Sequence, residues 1–279
     1  MIVKQFSAPA GIEVGLGRDR PVIGTGIRVD QYATRTLGAM SPVTAEPAPA
    51  GSRRIQYWMV NGTIREADAS RADPTMCYDF TYLPDRPVGW ERTKTFGHSH
   101  PRPGPGRIGL AEIIEVLHGT IGFIVADLLP GPRSTFAALV VGKPGDTIIL
   151  PPQLSHASVQ LGGGTAVFSD VIDRRMITGE LPADYDKVRA AKGMAYYIDL
   201  DGNGRANSNY LDVAPLQRFT AEDWSGPASD RPLYQDYVEH PELFAWITDP
   251  ELFPAKYPAL WQRVEGVVAG LNAVAAPRA

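Results

Sequence analysis

The segment GHSH at residues 97–100, followed by Glu112 and by PPQLSH at residues 151–156, decides the fold of this chain and its chemistry. Side chains alternate between the two faces of a β-strand, so His98 and His100 would point the same way, about 7 Å apart. On a helix the same two side chains would diverge by roughly 200 degrees. Three imidazoles and one carboxylate are a ligand set for a divalent transition metal, and the spacing predicts that strands hold them.

Short runs of β-branched and aromatic residues surround these positions, and most of them are bounded by glycine or proline. In chain order they are residues 77–83, 111–118, 122–129, 135–141, 146–150, 157–161 and 165–172. Many short strands at regular spacing are typical of an antiparallel barrel or sandwich and not of a βαβ fold. Residues 76–172 show no helical period. The pattern predicts an all-β barrel with a metal site inside it.

The same residues resemble the two motifs of the cupin superfamily. The positions that carry the resemblance to the first motif are Gly97, His98, His100, Glu112 and Gly119, and those for the second are Gly145, Pro151, His156 and Gln160. More narrowly, KTFGHSH at 94–100, Ala111-Glu112 and PPQLSH at 151–156 look like the cupin-type (archaeal-type) phosphoglucose isomerases. The resemblance covers residues 56–215 and implies a double-stranded β-helix (jelly-roll) barrel.

The resemblance also implies ligands for one divalent ion per chain, which could be zinc, iron, manganese or nickel. The implied ligands are His98, His100, Glu112 and His156, and the implied catalytic residues are Glu112 and His156. The implied phosphate-binding residues are Thr81, Thr95 and Gly97, with Tyr57 as a further pocket residue. Hydroxyls and backbone N–H groups can bind phosphate without a cluster of basic residues.

A rival carboxylate and several departures from the family pattern bear on this resemblance. Glu115 is a rival carboxylate, but it lies three residues after Glu112 and therefore on the opposite strand face. Ile114 stands where the family has a tyrosine, and residues 172–174 replace a family tyrosine and histidine. Asp170 lies near the end of the last predicted strand, either supporting the site or as a charge at its rim. The departures concern the substrate pocket and not the metal ligands.

Three classes of function fit this pattern. The best-supported named activity is aldose–ketose isomerisation of a sugar phosphate, between glucose 6-phosphate and fructose 6-phosphate, in which a metal polarises the carbonyl. In that reaction Glu112 could carry a proton in an enediol route, and a direct hydride shift is the competing route. The alternative is a divergent metallo-cupin of specialised metabolism that forms bonds without redox chemistry, such as an N–N bond, or that oxidises its substrate with dioxygen. A cupin that binds metal or ligand without catalysis is the third class.

The composition of the chain limits which partners and which compartment we expect. A net charge of −4 offers no electrostatic footprint for nucleic acid. The single cysteine, Cys77, gives no disulfide framework, which fits a reducing compartment. No run approaches transmembrane length, and the first residues lack the apolar core of a signal peptide. We therefore expect a cytoplasmic protein without nucleic-acid or membrane partners that binds a small-molecule substrate, which could be an anion, and forms a homodimer.

The chain divides into three predicted regions. Residues 1–55 are expected to form an N-terminal arm with strand-like segments, in which residues 41–50 read as an extended linker. Residues 56–215 would be the metal-binding cupin barrel, and residues 216–279 a C-terminal helical extension. Within that extension apolar residues recur at helical spacing over residues 257–274, which predicts an amphipathic helix packed on the barrel or on a second subunit.

Overall fold

A computed structural model describes residues 2–6, 10–17, 20–226 and 231–275 of the chain. The strands up to the metal motif are β1 (Ile2–Gln5), β2 (Val14–Gly17), β3 (Pro21–Ile23), β4 (Ile27–Arg28), β5 (Gln31–Thr36), β6 (Ile55–Asn61), β7 (Ile64–Arg65) and β8 (Met76–Leu83). The following strands are β9 (Glu112–His118), β10 (Ile121–Ala126), β11 (Arg133–Ser134), β12 (Ala137–Gly142), β13 (Thr147–Leu150), β14 (Ser155–Gln160), β15 (Ala166–Asp173), β16 (Tyr196–Ile198), β17 (Gly204–Ala206), β18 (Asp212–Val213) and β19 (Leu216–Thr220).

Helices are short except for the last one. They are α1 (Leu37–Met40), α2 (Arg175–Thr178), α3 (Asp186–Ala190), α4 (Leu233–Glu239), α5 (Ala245–Thr248), α6 (Phe253–Lys256) and α7 (Pro258–Ala275). Single 3-10 turns occupy Ser41–Val43, Glu66–Asp68, Ala221–Trp224, Pro241–Phe244 and Pro250–Leu252. Within the described ranges, none of the helices has both the length and the apolar character that crossing a membrane would require.

Two sheets make up the body of the molecule. The larger sheet has the order β13-β9-β15-β8-β6-β5, and all of its pairings are antiparallel. The smaller sheet has the order β14-β10-β12-β19, in which only the β12–β19 pairing is parallel. The strand pairing of the described residues does not close either sheet on itself. The structure is therefore strand-rich, with the helices gathered mainly at the C-terminal end.

The seven strands expected in the barrel region form within three residues of their predicted ends. Four of these strands, β8, β10, β14 and β15, are buried along their whole length. Strands buried on both faces read as continuous apolar runs, and glycine or proline next to a run interrupts the ladder. This local punctuation is why the strand positions are legible in the sequence.

The N-terminal region contributes directly to the larger sheet. Its strand β5 pairs with β6 in antiparallel register, and Arg35 lies opposite Tyr57. Residues 41–43, expected to be extended, form a 3-10 turn instead, with Pro42 in its first turn, where a proline needs no N–H partner. Residues 31–36 therefore lie next to β6, and residues that are paired between the two strands share a face of the sheet.

The C-terminal extension packs against the body of the same chain. Along α7, Leu260, Val264 and Val268 are buried in the main hydrophobic core. Asn272 accepts a hydrogen bond from Gln153, whose backbone has a positive φ in the turn before β14. Of the two expectations for this helix, packing on the body of its own chain is the one observed.

Candidate metal centre

Backbone pairing between two segments brings the histidines together. His98 and His156 exchange two backbone hydrogen bonds, of 3.0 and 2.8 Å. In this segment His98 and Ser99 form isolated bridges and not a regular strand, because Pro101 follows closely and cannot donate to a ladder. The imidazoles of His98 and His100 stack with their ring centroids 5.2 Å apart, so both side chains do project to the same side.

The three imidazoles converge on one point. The ring centroid of His156 lies 4.6 Å from that of His98 and 4.9 Å from that of His100. One nitrogen from each ring can be chosen so that all three lie within 4.8 Å of one another. Such a group can surround a single metal ion, whose bonds to histidine nitrogen are about 2 Å long.

Glu112 stands beside this cluster, at the start of β9. Its Oε2 lies 3.3 Å from Nε2 of His100 and 3.3 Å from Nε2 of His156. Burial opposes the ionisation of Glu112, but the two imidazoles outweigh burial and hold the pKa of this carboxyl below its usual range. The carboxylate is thus the form that this environment favours, which is also the form that binds metals.

The state of the imidazoles fits a metal equally well. Burial, together with the neighbouring histidines, lowers the pKa of His98 well below its ordinary value and also lowers that of His100. Both are therefore neutral near pH 7, as metal ligation requires. Both ring nitrogens of His156 are buried and make no hydrogen bond to a described residue, the 3.3 Å approach to Glu112 being too poorly aligned. A bound cation would satisfy one of these orphaned nitrogens.

Glu115, the rival carboxylate, lies outside the cluster. Its Oε2 accepts a hydrogen bond of 3.1 Å from the backbone N–H of Leu233, at the start of α4. Burial raises the pKa of Glu115 to about 7. The side chain thus faces the C-terminal extension, as the alternation of strand faces predicts.

A cavity of about 370 Å³ opens next to the histidines, and all four expected substrate residues line it: Tyr57, Thr81, Thr95 and Gly97. The Thr95 hydroxyl oxygen accepts a hydrogen bond from the Ser158 N–H, and this leaves its own hydrogen available. Gly97 has a φ of +86°, and a Cβ there would lie 3.1 Å from the Met194 sulfur. Glycine is therefore required by both the backbone and the packing.

Two further residues, Arg35 and Tyr185, line the cavity and were not predicted from the sequence. The guanidinium of Arg35 donates to the Tyr57 hydroxyl over 3.4 Å and lies 5.5 Å from the centre of the Tyr185 ring. The Tyr185 ring in turn lies 5.2 Å from that of His98, centroid to centroid. A polar strand pattern at residues 31–36 could have indicated Arg35, whereas Tyr185 lies in a connection that carries no local signal.

The cavity also has an acidic region. Asp79 on β8 and Asp170 on β15 lie directly opposite each other in the sheet register, and both line the cavity. Burial raises the pKa of Asp79 to about 7 and that of Asp170 well above its ordinary value, and Glu112 contributes to both shifts. The strands β8 and β15 lie in the larger sheet between β5, which carries Arg35, and β9, which carries Glu112, so the two carboxyl groups lie between the arginine and the metal cluster.

Comparison with known proteins gives a match over residues 41–214 to the family described as glucose-6-phosphate isomerase (GPI). No curated protein matches significantly. Solved structures similar to parts of the chain include an oxalate oxidase, with 16% identity over 42% of this chain and 50% of that chain and a TM-score of 0.31. A predicted oxalate decarboxylase from Thermotoga maritima shows 21% identity over 41% of this chain and 77% of that one, with a TM-score of 0.27. Fe(II) HppE shows 17% identity over 42% of this chain and 50% of that one, with a TM-score of 0.26.

The alignment with the oxalate oxidase spans half of that protein's length. The family match, by contrast, spans more than half of the present chain and includes the three histidines, Glu112 and the four expected substrate residues. The chain therefore belongs to the glucose-6-phosphate isomerase (GPI) family, in its cupin-type branch.

Proposed function

We propose that this protein is a metal-dependent aldose–ketose isomerase that acts on a sugar phosphate, with glucose 6-phosphate and fructose 6-phosphate as the named pair. The observation that carries the proposal is that one cavity is lined both by the His98, His100, Glu112 and His156 cluster and by a set of groups suited to an anion. A volume of about 370 Å³ lies in the range of small-molecule sites.

The anion-binding set combines hydroxyl groups with one fixed positive charge. The Tyr57 hydroxyl oxygen accepts hydrogen bonds from Phe96 N–H and from Arg35, so its hydrogen can be donated into the cavity. Thr95 has the same arrangement, since its oxygen is already the acceptor for a backbone N–H. A guanidinium remains charged at any working pH and matches the geometry of phosphate oxygens. Arg35 is therefore our proposed partner for the substrate phosphate.

The strand register sets the substrate's orientation in this proposal. Thr81 lies opposite Met59 on β6, two residues along that strand from the level of Tyr57 and Arg35. A phosphate held by Arg35 and the neighbouring hydroxyl groups would place the other end of the sugar toward Glu112 and the histidines.

A divalent ion held by His98, His100, Glu112 and His156 would polarise the substrate carbonyl and lower the barrier to moving hydrogen between C1 and C2. In the enediol route, the Glu112 carboxylate would take the proton from C2 of the aldose and return it to C1, while the hydroxyl proton on O2 passes to O1. Oε2 of the Glu112 carboxylate lies 3.3 Å from Nε2 of His100 and 3.3 Å from Nε2 of His156.

The finer statements about the fold and assembly belong to the same proposal. The two facing sheets, with the histidine segment bridging to β14, support a double-stranded β-helix of the cupin type. The boundaries at residues 55 and 215, the homodimer and the cytoplasmic location stay predictions. The nature of the ion among zinc, iron, manganese and nickel is also a prediction.

Anaerobic incubation of the purified protein with fructose 6-phosphate, with metal content measured on the same sample, tests the proposal. We expect stoichiometric metal and formation of glucose 6-phosphate. Thr95→Val should lower kcat/KM by about 10- to 100-fold, the effect of losing one hydrogen bond to a charged group. His156→Ala should lose both metal and activity, and Glu115→Gln, outside the cavity, should keep both. Full metal occupancy without interconversion would contradict the isomerase assignment.

A further inference from the structure

The proposed isomerisation of an unsubstituted sugar phosphate does not use the acidic region of the cavity. Asp79 and Asp170 are about 95% buried, and they come from neighbouring strands that are far apart in sequence. Their side chains project from the same face of the sheet as Thr81, which follows Asp79 by two residues along β8. Two residues along a strand correspond to about 7 Å.

Asp170 has no partner for its charge. Its carboxylate lines the cavity, is 6% exposed, and makes no hydrogen bond or ion pair with any residue in the described ranges. The nearest charged groups that act on it are Glu112 and Asp79, both of the same sign. An unpaired buried carboxylate is costly, because it has lost its hydration without gaining a donor.

Asp79 is only partly compensated. Its Oδ1 accepts a 2.7 Å hydrogen bond from the Gly62 N–H, and Cys77 lies beside it on the same strand face. Arg174 is the arginine whose charge reaches Asp79, but it is ion-paired with Asp30 and does not line the cavity. Asp79 therefore keeps acceptor capacity beyond the Gly62 N–H and the weakly donating Cys77 thiol, and the whole carboxylate of Asp170 is available to a ligand.

We propose that Asp79 and Asp170 form a subsite for an ammonium group, and that the substrate is a sugar phosphate with an amino substituent next to the reacting carbons. The inference rests on the proposed function for the phosphate end and the reacting carbons. An ammonium group has three donors, which suits two carboxylates that need both charge and hydrogen bonds. A second metal ion fits less well, because the acidic region offers two carboxylates and not three or more ligands.

The position of the amino group follows from the layers of the cavity. The phosphate end lies at Arg35 and Thr95, and the reacting C1–C2 pair must face the histidines. Asp170 lies diagonally across from Glu112, since the register pairs Asp170 with Ile114, two residues further along β9. Carbon 3 is then the neighbouring carbon that can carry a nitrogen to Asp170 while C1 and C2 remain free to isomerise.

Titration calorimetry with two matched pairs of ligands tests this subsite. The first pair is 3-amino-3-deoxyglucose 6-phosphate and glucose 6-phosphate, and the second is the same two sugars without phosphate. We expect the amino sugar to bind roughly tenfold more tightly or better within each pair, as a charge-assisted hydrogen bond would give. Asp170→Asn should abolish that preference and leave the affinity for glucose 6-phosphate unchanged. Glu115→Gln, which removes a buried carboxyl from the other strand face, should keep it.

The outcomes separate the subsite from the proposed function. Amine preference in the unphosphorylated pair, without glucose 6-phosphate turnover, would support the subsite and count against the isomerase. Turnover without amine preference in either pair would overturn the subsite alone, and so would a second equivalent of metal that Asp170→Asn removes. Asp79→Asn keeps an oxygen acceptor for the Gly62 N–H, so it gives a second folded variant if Asp170→Asn does not fold.

Discussion

The buried carboxyl of Glu115 makes a quantitative prediction about stability. This side chain lies between β9 and the C-terminal extension, where its carboxylate accepts one hydrogen bond, from Leu233 N–H. Burial raises its pKa, the Leu233 hydrogen bond opposes that shift, and the nearby carboxylate of Asp236 adds to it. Arg231 lies 3.6 Å from Asp236 and is one neutralising charge at that junction. The replacement Glu115→Gln keeps an oxygen for the Leu233 N–H but cannot ionise.

The magnitude follows from the shift from 4.5 to about 7. A raised pKa means that the folded state holds the proton more tightly than the unfolded state does. The stability contributed by the protonated carboxyl is fully present below pH 4.5 and is lost as the pH rises through about 7. At 1.36 kcal/mol per pKa unit, the wild type should lose about 3 kcal/mol of unfolding free energy from this group alone.

The assay is urea unfolding at several pH values between about 4 and 8, the window that the shift from 4.5 to about 7 defines. Glu115→Gln should be more stable than the wild type by about 2–3 kcal/mol at the alkaline end and nearly equal to it at the acidic end. Asp79 and Asp170 titrate in both proteins, so the difference between the two curves isolates Glu115. Glu222→Gln, at an exposed position, controls for the change in net charge. Parallel curves for wild type and Glu115→Gln would refute the argument.

Three further predictions concern the metal, the phosphate end and the extension. Glu112→Gln should lower the metal content measured by elemental analysis while Glu115→Gln leaves it unchanged, and equal metal in both variants would remove Glu112 from the ligand set. Gly97→Ala should destabilise the protein by about 1–3 kcal/mol in urea unfolding, because its φ of +86° disfavours any Cβ. An unchanged midpoint would mean that the turn adapts freely. Leu260→Ala should cost about 2–5 kcal/mol, since Leu260 is 4% exposed in the core; a loss below about 0.5 kcal/mol would show that α7 packs elsewhere in solution.

The parts of this structure that local chemistry determines could be predicted from the sequence. The last barrel strand, expected at residues 165–172, is β15 at Ala166–Asp173. The three glycines at residues 162–164 mark its start in the sequence. The expected helix at 257–274 is α7, Pro258–Ala275, since an apolar stripe at helical spacing precludes a strand there. Both signals lie within about twenty residues of the element that they specify.

The anion-binding end could not be predicted in the same way. Arg35 was assigned to an arm because residues 1–55 are rich in glycine, proline and alanine. It reaches the cavity only because β5 adds to the edge of a six-stranded sheet, next to β6. That pairing is set by which edge is free and by the turn of residues 37–43, and neither is visible in the composition of residues 31–36.

The formation of the acidic region depends even more strongly on the register between strands. Asp79 and Asp170 lie in strands whose apolar runs were recognised, yet nothing in either run identifies the other as its neighbour. The antiparallel pairing of β8 with β15 places the two side chains opposite each other, and a slip of one residue would turn one of them away from the cavity. Burial of the alternate face, where Tyr78 and Phe80 join the core, prevents such a slip. The hydrophobic pattern therefore holds two like charges together, and a cationic ligand is the partner that would make this arrangement favourable.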